Sequence, residues 1–150
     1  MTPLLALDLG TVTGFMCGTP EHNVSGIWNL KPTRFESAGM RFVKLRTKLA
    51  EMHRAYGFSH IVFEEVRRHA GTDAAHVYGG LLGTLQTWCE ENGVTYEGAG
   101  VGTIKKFATG KGNADKKAMI AAARGFGTDT DDDNEADAVC LFHLKVAESR

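Results

Sequence analysis

The hydrophobic residues of this chain follow two periods, one typical of buried strands and the other of amphipathic helices. Three short apolar runs near the N-terminus are separated by turn-forming glycine, proline and asparagine. They predict an antiparallel meander of strands over residues 3–11, 14–18 and 24–29. Two later runs, at 60–66 and 94–97, predict strands that follow helices and therefore run parallel to the first strand.

A period of three to four residues replaces the strand pattern between these runs and predicts four helices. The first has apolar residues at 35, 38, 42, 45, 49, 52 and 56 and ends at Gly57. The others are expected over 73–92, 116–124 and from 134 to about 148. Three glycines lower the helix propensity of the second helix and indicate close approach by another backbone, from the sheet or from a second subunit. They are Gly79, Gly80 and Gly83.

The order of elements predicts an α/β protein with one domain over residues 1–150. Three strands are followed by a helix, a strand, a helix, a strand and further helices, with no repeat and no low-complexity linker. This order resembles that of ribonuclease H-like domains. We therefore expect a mixed five-stranded sheet, antiparallel in its first three strands, with helices on both faces.

Composition excludes several classes of protein. The chain has 150 residues, 43% of them hydrophobic, and a formal net charge of −1. It has no apolar run of about eighteen residues and no basic-then-apolar start typical of a signal peptide. Cys17, Cys89 and Cys140 are far apart, which indicates reduced thiols, and the histidines form no zinc-ligand pattern. We expect a cytoplasmic protein that does not bind membranes.

Carboxylates recur where the predicted sheet would bring them together. Asp8 and Glu64 end two strands predicted to be parallel neighbours, and the last helix begins with Asn134 and Asp137 on one face. Clustered carboxylates repel unless protons or cations neutralise them, and oxygen ligands favour Mg²⁺ or Mn²⁺ over zinc. Two such ions roughly 4 Å apart support phosphodiester hydrolysis. These residues therefore predict a metal-dependent nuclease site.

Other acidic residues near this site have competing interpretations. Glu65 directly follows the strand glutamate, and strand alternation sends one of the two to each face without choosing between them. Asp133 shares a helix face with Asp137 and is a further candidate ligand. We interpret Asp131 and Asp132 as part of the helix start, where acidic side chains cap the first turn and interact favourably with the helix dipole.

A lysine-rich stretch at 101–117 contains a glycine loop that leads into a helix. Backbone N–H groups and lysines at such a helix start bind phosphate well, so this stretch and the arginines after the fourth strand are predicted to bind DNA. The residues are Lys105, Lys106, Lys111, Lys116, Lys117, Arg67 and Arg68. The spacing is not that of a Walker A loop, and we expect no nucleotide cofactor. A solvated basic loop is the alternative.

Four segments of the sequence resemble the RuvC family of Holliday junction resolvases, in its bacteriophage-type branch. They are Leu5-Ala6-Leu7-Asp8-Leu9-Gly10, Phe63-Glu64-Glu65-Val66, the glycine–lysine loop at 109–116 and Asn134-Glu135-Ala136-Asp137-Ala138. They occur in the family's order over nearly the whole chain. The resemblance implies a homodimer with two Mg²⁺ ions per site, replaceable by Mn²⁺, that makes paired cuts in a four-way DNA junction.

The resemblance carries the family's catalytic acids onto Asp8, Glu64 and Asp137. The family usually has another acid one helical turn before the last of these, where this chain has Asn134. An amide oxygen still ligates a metal, with less charge, so either Asn134 or Asp133 supplies the fourth ligand.

The sequence is also compatible with other functions. The same site would serve a nuclease with less selectivity for junctions, and Asn134 in place of an acid favours a non-catalytic module that binds branched DNA. The stretch at 8–14 resembles the first phosphate loop of actin-like sugar kinases, although those proteins need a longer chain with a second glycine-rich loop.

Overall fold

The computed structural model describes residues 1–150, which form five strands and five helices. The strands are β1 (Leu4–Asp8), β2 (Val12–Gly18), β3 (Asn23–Asn29), β4 (His60–Glu65) and β5 (Thr95–Gly100). The helices are α1 (Met40–Tyr56), α2 (Thr72–Asn92), α3 (Val101–Thr109), α4 (Lys116–Gly125) and α5 (Asp133–Glu148). The strand order is β3-β2-β1-β4-β5, antiparallel from β3 to β1 and parallel from β1 to β5. The predicted mixed sheet is confirmed.

Side-chain alternation along β1 divides the interior into two cores. Leu5 and Leu7 pack into one core with residues of α1 and α2, whereas Leu4 and Ala6 pack into the other with residues of α3, α4 and α5. All four side chains are at most 4% exposed. Helices therefore cover both faces of the sheet, as predicted, because β1 carries apolar residues on both of its faces and both have to be buried.

Helix α1 begins at Met40, later than the apolar spacing predicts. The preceding residues form a turn in which the Glu36 N–H donates to the Thr33 carbonyl at 3.0 Å. Phe35 lies in this turn and is 84% exposed, so the prediction that places it on the buried stripe is wrong. The stripe itself is confirmed further along, where Leu45 and Leu49 are fully buried.

Helix α3 lies in the lysine-rich stretch, where the sequence analysis predicts no helix before residue 116. It has nine residues and a single buried one, Ile104, so the apolar pattern has too few repeats to reveal a helix. Gly110 ends it in the left-handed conformation with φ of 86°. The glycine–lysine loop joins α3 to α4.

The glycines of α2 do not meet another backbone within the chain. A Cβ at Gly80 would lie 2.5 Å from the ring of Phe42 on α1, which makes the close contact one with a side chain. A Cβ at Gly79 or Gly83 would meet no atom within 4 Å. Approach by the sheet is thus wrong, and approach by a second subunit remains a prediction.

Candidate metal centre and nucleic-acid interface

Asp8 and Glu64 lie side by side at the carboxyl ends of β1 and β4. The parallel register pairs Ala6 with Val62 and Leu7 with Phe63, so the next residues along the two strands also face each other. Ala6 and Val62 belong to the core beneath α5, and alternation sends Asp8 and Glu64 to the same face. A carboxylate oxygen of one lies within 4.8 Å of a carboxylate oxygen of the other.

Helix α5 adds Asp137 to this pair. Its first turn packs directly on β2, where a Cβ at Gly14 would lie only 1.8 Å from the Asn134 carbonyl oxygen. Ala136 and Ala138 are fully buried beside Asp137 and hold this part of the helix against the sheet. One carboxylate oxygen from each of Asp8, Glu64 and Asp137 lies within 4.8 Å of the others. The structure thus brings together the three acids that the sequence singles out.

The surroundings of these acids favour their neutral forms. Burial, followed by the charge of Glu64, raises the pKa of Asp8 well above its usual range. Burial, followed by the charges of Glu64 and Asp133, raises the pKa of Asp137 to about 7. Protons or a divalent cation relieve such repulsion, and a set of carboxylate oxygens suits Mg²⁺ or Mn²⁺. The residues present therefore fit the predicted metal site.

The structure separates the competing acidic positions. Glu65 pairs with Arg67 at 3.2 Å, and its carboxylate lies against Gly98 of β5, away from the three clustered acids. Asp133 lies close enough to raise the pKa of both Asp8 and Asp137. Asn134 is half-buried on the same turn of α5.

The two aspartates interpreted as a helix start have different partners. Asp132 is the N-cap of α5 and accepts a hydrogen bond from the Glu135 N–H at 2.9 Å, as predicted. Asp131 pairs with Arg124 of α4. Both residues serve the structure around the carboxylate cluster.

The predicted DNA-binding residues fall into three groups. Lys105 and Lys116 lie near the carboxylates, since their charges lower the pKa of Asp137, and Lys116 also pairs with Asp133 at 3.6 Å. Arg67 is held by Glu65. The remaining residues are exposed and form no ion pair: Lys106, Lys111, Lys117 and Arg68.

Several residues that position the acids were not identified from the sequence. The Tyr78 hydroxyl donates to the Glu64 carbonyl at 2.8 Å and accepts from the Val66 N–H, which fixes the end of β4. Glu135 accepts from Ser25 and Thr130, each at 2.6 Å, and anchors the start of α5 to β3. In the sequence, Tyr78 belongs to an apolar helix stripe and Glu135 to a helix start. Neither pattern indicates that the residue positions the clustered acids.

The comparisons with known proteins agree in fold. Neither a protein-family model nor a curated protein matches the sequence. The RuvC of Thermus thermophilus in complex with a Holliday junction substrate matches with a TM-score of 0.79 and 19% identity, over 98% of this chain and 97% of that one. The fold is that of RuvC.

Two further structures share the RuvC fold. Another Thermus thermophilus RuvC structure has a TM-score of 0.76 and 19% identity, over 97% of both chains. The yeast mitochondrial Holliday junction resolvase Ydc2 has a TM-score of 0.64 and 12% identity, over 94% of this chain and 76% of its own. The ribonuclease H-like fold predicted from the sequence is confirmed. Within this RuvC fold, none of the helices has the length and apolar character needed to cross a membrane.

Proposed function

We propose that this chain is a metal-dependent endonuclease that resolves four-way DNA junctions. The observation that carries the proposal is the convergence of Asp8, Glu64 and Asp137, with ligand atoms within 4.8 Å of one another, in a chain with the RuvC fold. One of the structures with that fold is bound to a Holliday junction substrate. A single domain over residues 1–150 and a cytoplasmic location belong to the same proposal.

Asp8, Glu64 and Asp137 would hold Mg²⁺ or Mn²⁺, and Asp133 or Asn134 would complete the ligand set. Two ions held by these residues would supply an activated water and positive charge for the leaving oxygen of a phosphodiester. The protein supplies a rigid arrangement of donors, because two sit on paired strands and the third on a helix packed against them. Asp133 is the stronger candidate for the fourth ligand, since its charge already acts on Asp8 and Asp137.

Lysines beside the acids would draw the DNA backbone into the site. Lys105 and Lys116 provide positive charge next to Asp137, and a phosphodiester approaching the carboxylates would otherwise be repelled. Lys106, Lys111 and Lys117 lie further along α3, the loop and α4, where they are free to contact phosphates. Such contacts give affinity that falls with increasing salt and carries no base specificity.

A homodimer would match the symmetry of the substrate. A four-way junction offers two equivalent strands, and a twofold pair of subunits presents two equivalent sites. Gly79 and Gly83 leave the surface of α2 open at the places where a second subunit would pack closely.

Cleavage assays with a four-way junction and a linear duplex of the same sequence test the proposal. The wild type should cut the junction in Mg²⁺ or Mn²⁺ and leave the duplex intact, whereas Asp8→Asn should bind the junction without cutting it. Equal cutting of both substrates would rule out a resolvase and leave a less selective nuclease.

A module that binds branched DNA without cutting it is the second candidate. It is favoured by Asn134, an amide where the family resemblance implies an acid. Junction binding by the wild type with no cleavage in either metal ion would establish this alternative, and Asn134→Asp would then be expected to restore cutting.

A further inference from the structure

Phe35 has a large aromatic side chain that is exposed to solvent. It is 84% exposed, more than any other large hydrophobic residue of the chain. The guanidinium of Arg34 lies over its ring, 4.7 Å from the ring centroid. Burial of a phenylalanine side chain contributes about 2 kcal/mol, so a partner that covers Phe35 would gain this stabilisation.

The turn that carries Phe35 is held in place on both sides. The Thr33 N–H donates to the Glu36 carboxylate at 2.8 Å, and that carboxylate also pairs with the Lys44 ammonium at 2.8 Å. The same ammonium donates to the Lys31 carbonyl at 2.9 Å. The turn is therefore fastened to the first helix, and Phe35 projects from a fixed support.

The turn follows the edge of the sheet where the carboxylates lie. The Leu30 N–H donates to the Thr11 carbonyl at 2.8 Å, and Thr11 is three residues beyond Asp8. The chain then reaches Phe35 in five residues, a span of at most about 17 Å. The turn therefore begins at the same edge of the sheet as the carboxylates.

Positive charge around Phe35 has no acidic partner. Lys31, Arg34 and Arg41 form no ion pair with any carboxylate, whereas the only acid of the turn, Glu36, is neutralised by Lys44. The Nε of Arg41 is buried and lacks a hydrogen-bond partner, which leaves an unsatisfied donor at the start of α1.

We infer that Phe35 stacks on an unpaired nucleobase of the DNA, while Lys31, Arg34 and Arg41 bind the phosphates on either side of it. An exposed aromatic ring within a cationic surface is how proteins hold single-stranded nucleotides, because every base offers a face for stacking. The inference rests on the proposed function in taking DNA as the ligand, and it assigns a contact away from the metal site.

A second copy of this chain is the less favoured occupant. The interior of a protein interface is apolar and poor in charge. The residues flanking Phe35 in sequence are Thr33, Arg34, Glu36 and Ser37, which are polar or charged. They suit a hydrated, anionic ligand better than a protein surface.

Binding measured in a metal chelator tests the inference separately from cleavage. Phe35→Ala and Arg34→Ala should each weaken the affinity for a four-way junction, and Phe35→Ala by about 5- to 100-fold, the range expected for loss of one base stack. Tyr56→Ala is the matched control, an aromatic residue that is 37% exposed at the far end of α1, and it should bind like the wild type. Phe35→Ala should unfold at the wild-type temperature, since Phe35 contributes little to the core.

Tryptophan emission gives a direct readout of stacking. The native Trp28 and Trp88 are at most 5% exposed, so the additional emission of Phe35→Trp reports on position 35. DNA should quench it, and Tyr56→Trp should show no quenching. Rescue of affinity by Phe35→Trp is also expected.

The outcomes separate the two proposals. Junction cleavage by the wild type, with Phe35→Ala binding like Tyr56→Ala, would overturn the inference and leave the proposed function standing. If Phe35→Ala weakens binding but the wild type cleaves no junction, the inference stands and the proposed endonuclease function is overturned. A change in sedimentation caused by Phe35→Ala would identify a protein interface instead, and absence of DNA binding by the wild type would overturn both.

Discussion

Glu64 and Glu65 are chemically identical neighbours that differ only in direction. The sequence shows that one of them faces the sheet side occupied by Asp8, but alternation alone does not say which. The register with β1 decides it, because Glu64 follows Val62 into the core beneath α5 and Glu65 does not. The sequence therefore predicts which residues end the strands. The face to which each glutamate side chain points follows only from the register with the partner strand.

The same substitution at Glu64 and at Glu65 compares two adjacent glutamates that point to opposite faces of the sheet. We expect Glu64→Gln to lower the rate of junction cleavage about a hundredfold or more, because the amide lacks the negative charge with which Glu64 would hold a metal ion in the proposed site. Glu65→Gln removes only a contact with Arg67 and should stay within about threefold of the wild type. Single-turnover cleavage at saturating Mg²⁺ measures both. Equal losses in the two variants would contradict the assignment of Glu64.

At the scale of elements, the site depends on how closely α5 approaches the sheet. The sequence predicts this helix to within one residue, and Gly14 is visible in the sequence as part of a strand. It does not show that the two meet, because a glycine in a strand has several explanations, among them a bulge and a close contact. Only the packed structure shows the Asn134 carbonyl against Gly14.

We expect Gly14→Ala to displace the first turn of α5 and move Asp137 away from its partners. Overpacking of this kind costs about 1–3 kcal/mol, so the melting temperature should fall and cleavage should fall further than the stability loss explains. Gly39→Ala is the control, since a Cβ there meets no atom within 4 Å and φ is −63°. Thermal unfolding and cleavage at a temperature where both variants are folded provide the measurement. Unchanged cleavage in Gly14→Ala would show that the helix adjusts without moving Asp137.

For the whole molecule, the carboxylate cluster links stability to pH and to metal ions. Asp137 has a pKa of about 7 in the folded chain and about 3.9 when unfolded, so between these values only the folded state holds the proton. Folding is therefore favoured at low pH, and this contribution is lost as the pH rises through 7. The loss is about 1.4 kcal/mol for each pH unit in that window.

Without metal ions, the wild type should lose stability relative to Asp137→Asn as the pH rises from about 4 to about 7, the interval between the unfolded and folded pKa values of Asp137. His60 and His143, whose pKa values are lowered mainly by burial, titrate in both proteins and cancel in the difference. Mg²⁺ should restore the wild type at high pH and affect the variant less, because a ligand that binds only the folded state stabilises it. Denaturant unfolding across this pH range measures both effects. A constant difference between the two proteins would contradict the raised pKa.

The clustered carboxylates use little of the chain, and this leaves many different sequences compatible with the fold. Two strand ends and one helical turn carry the acids. Each of the two cores requires only apolar side chains at the correct period. A sequence that keeps those few positions can differ at most of the others and still form the same architecture. A fold shared at 19% identity is compatible with so few fixed positions.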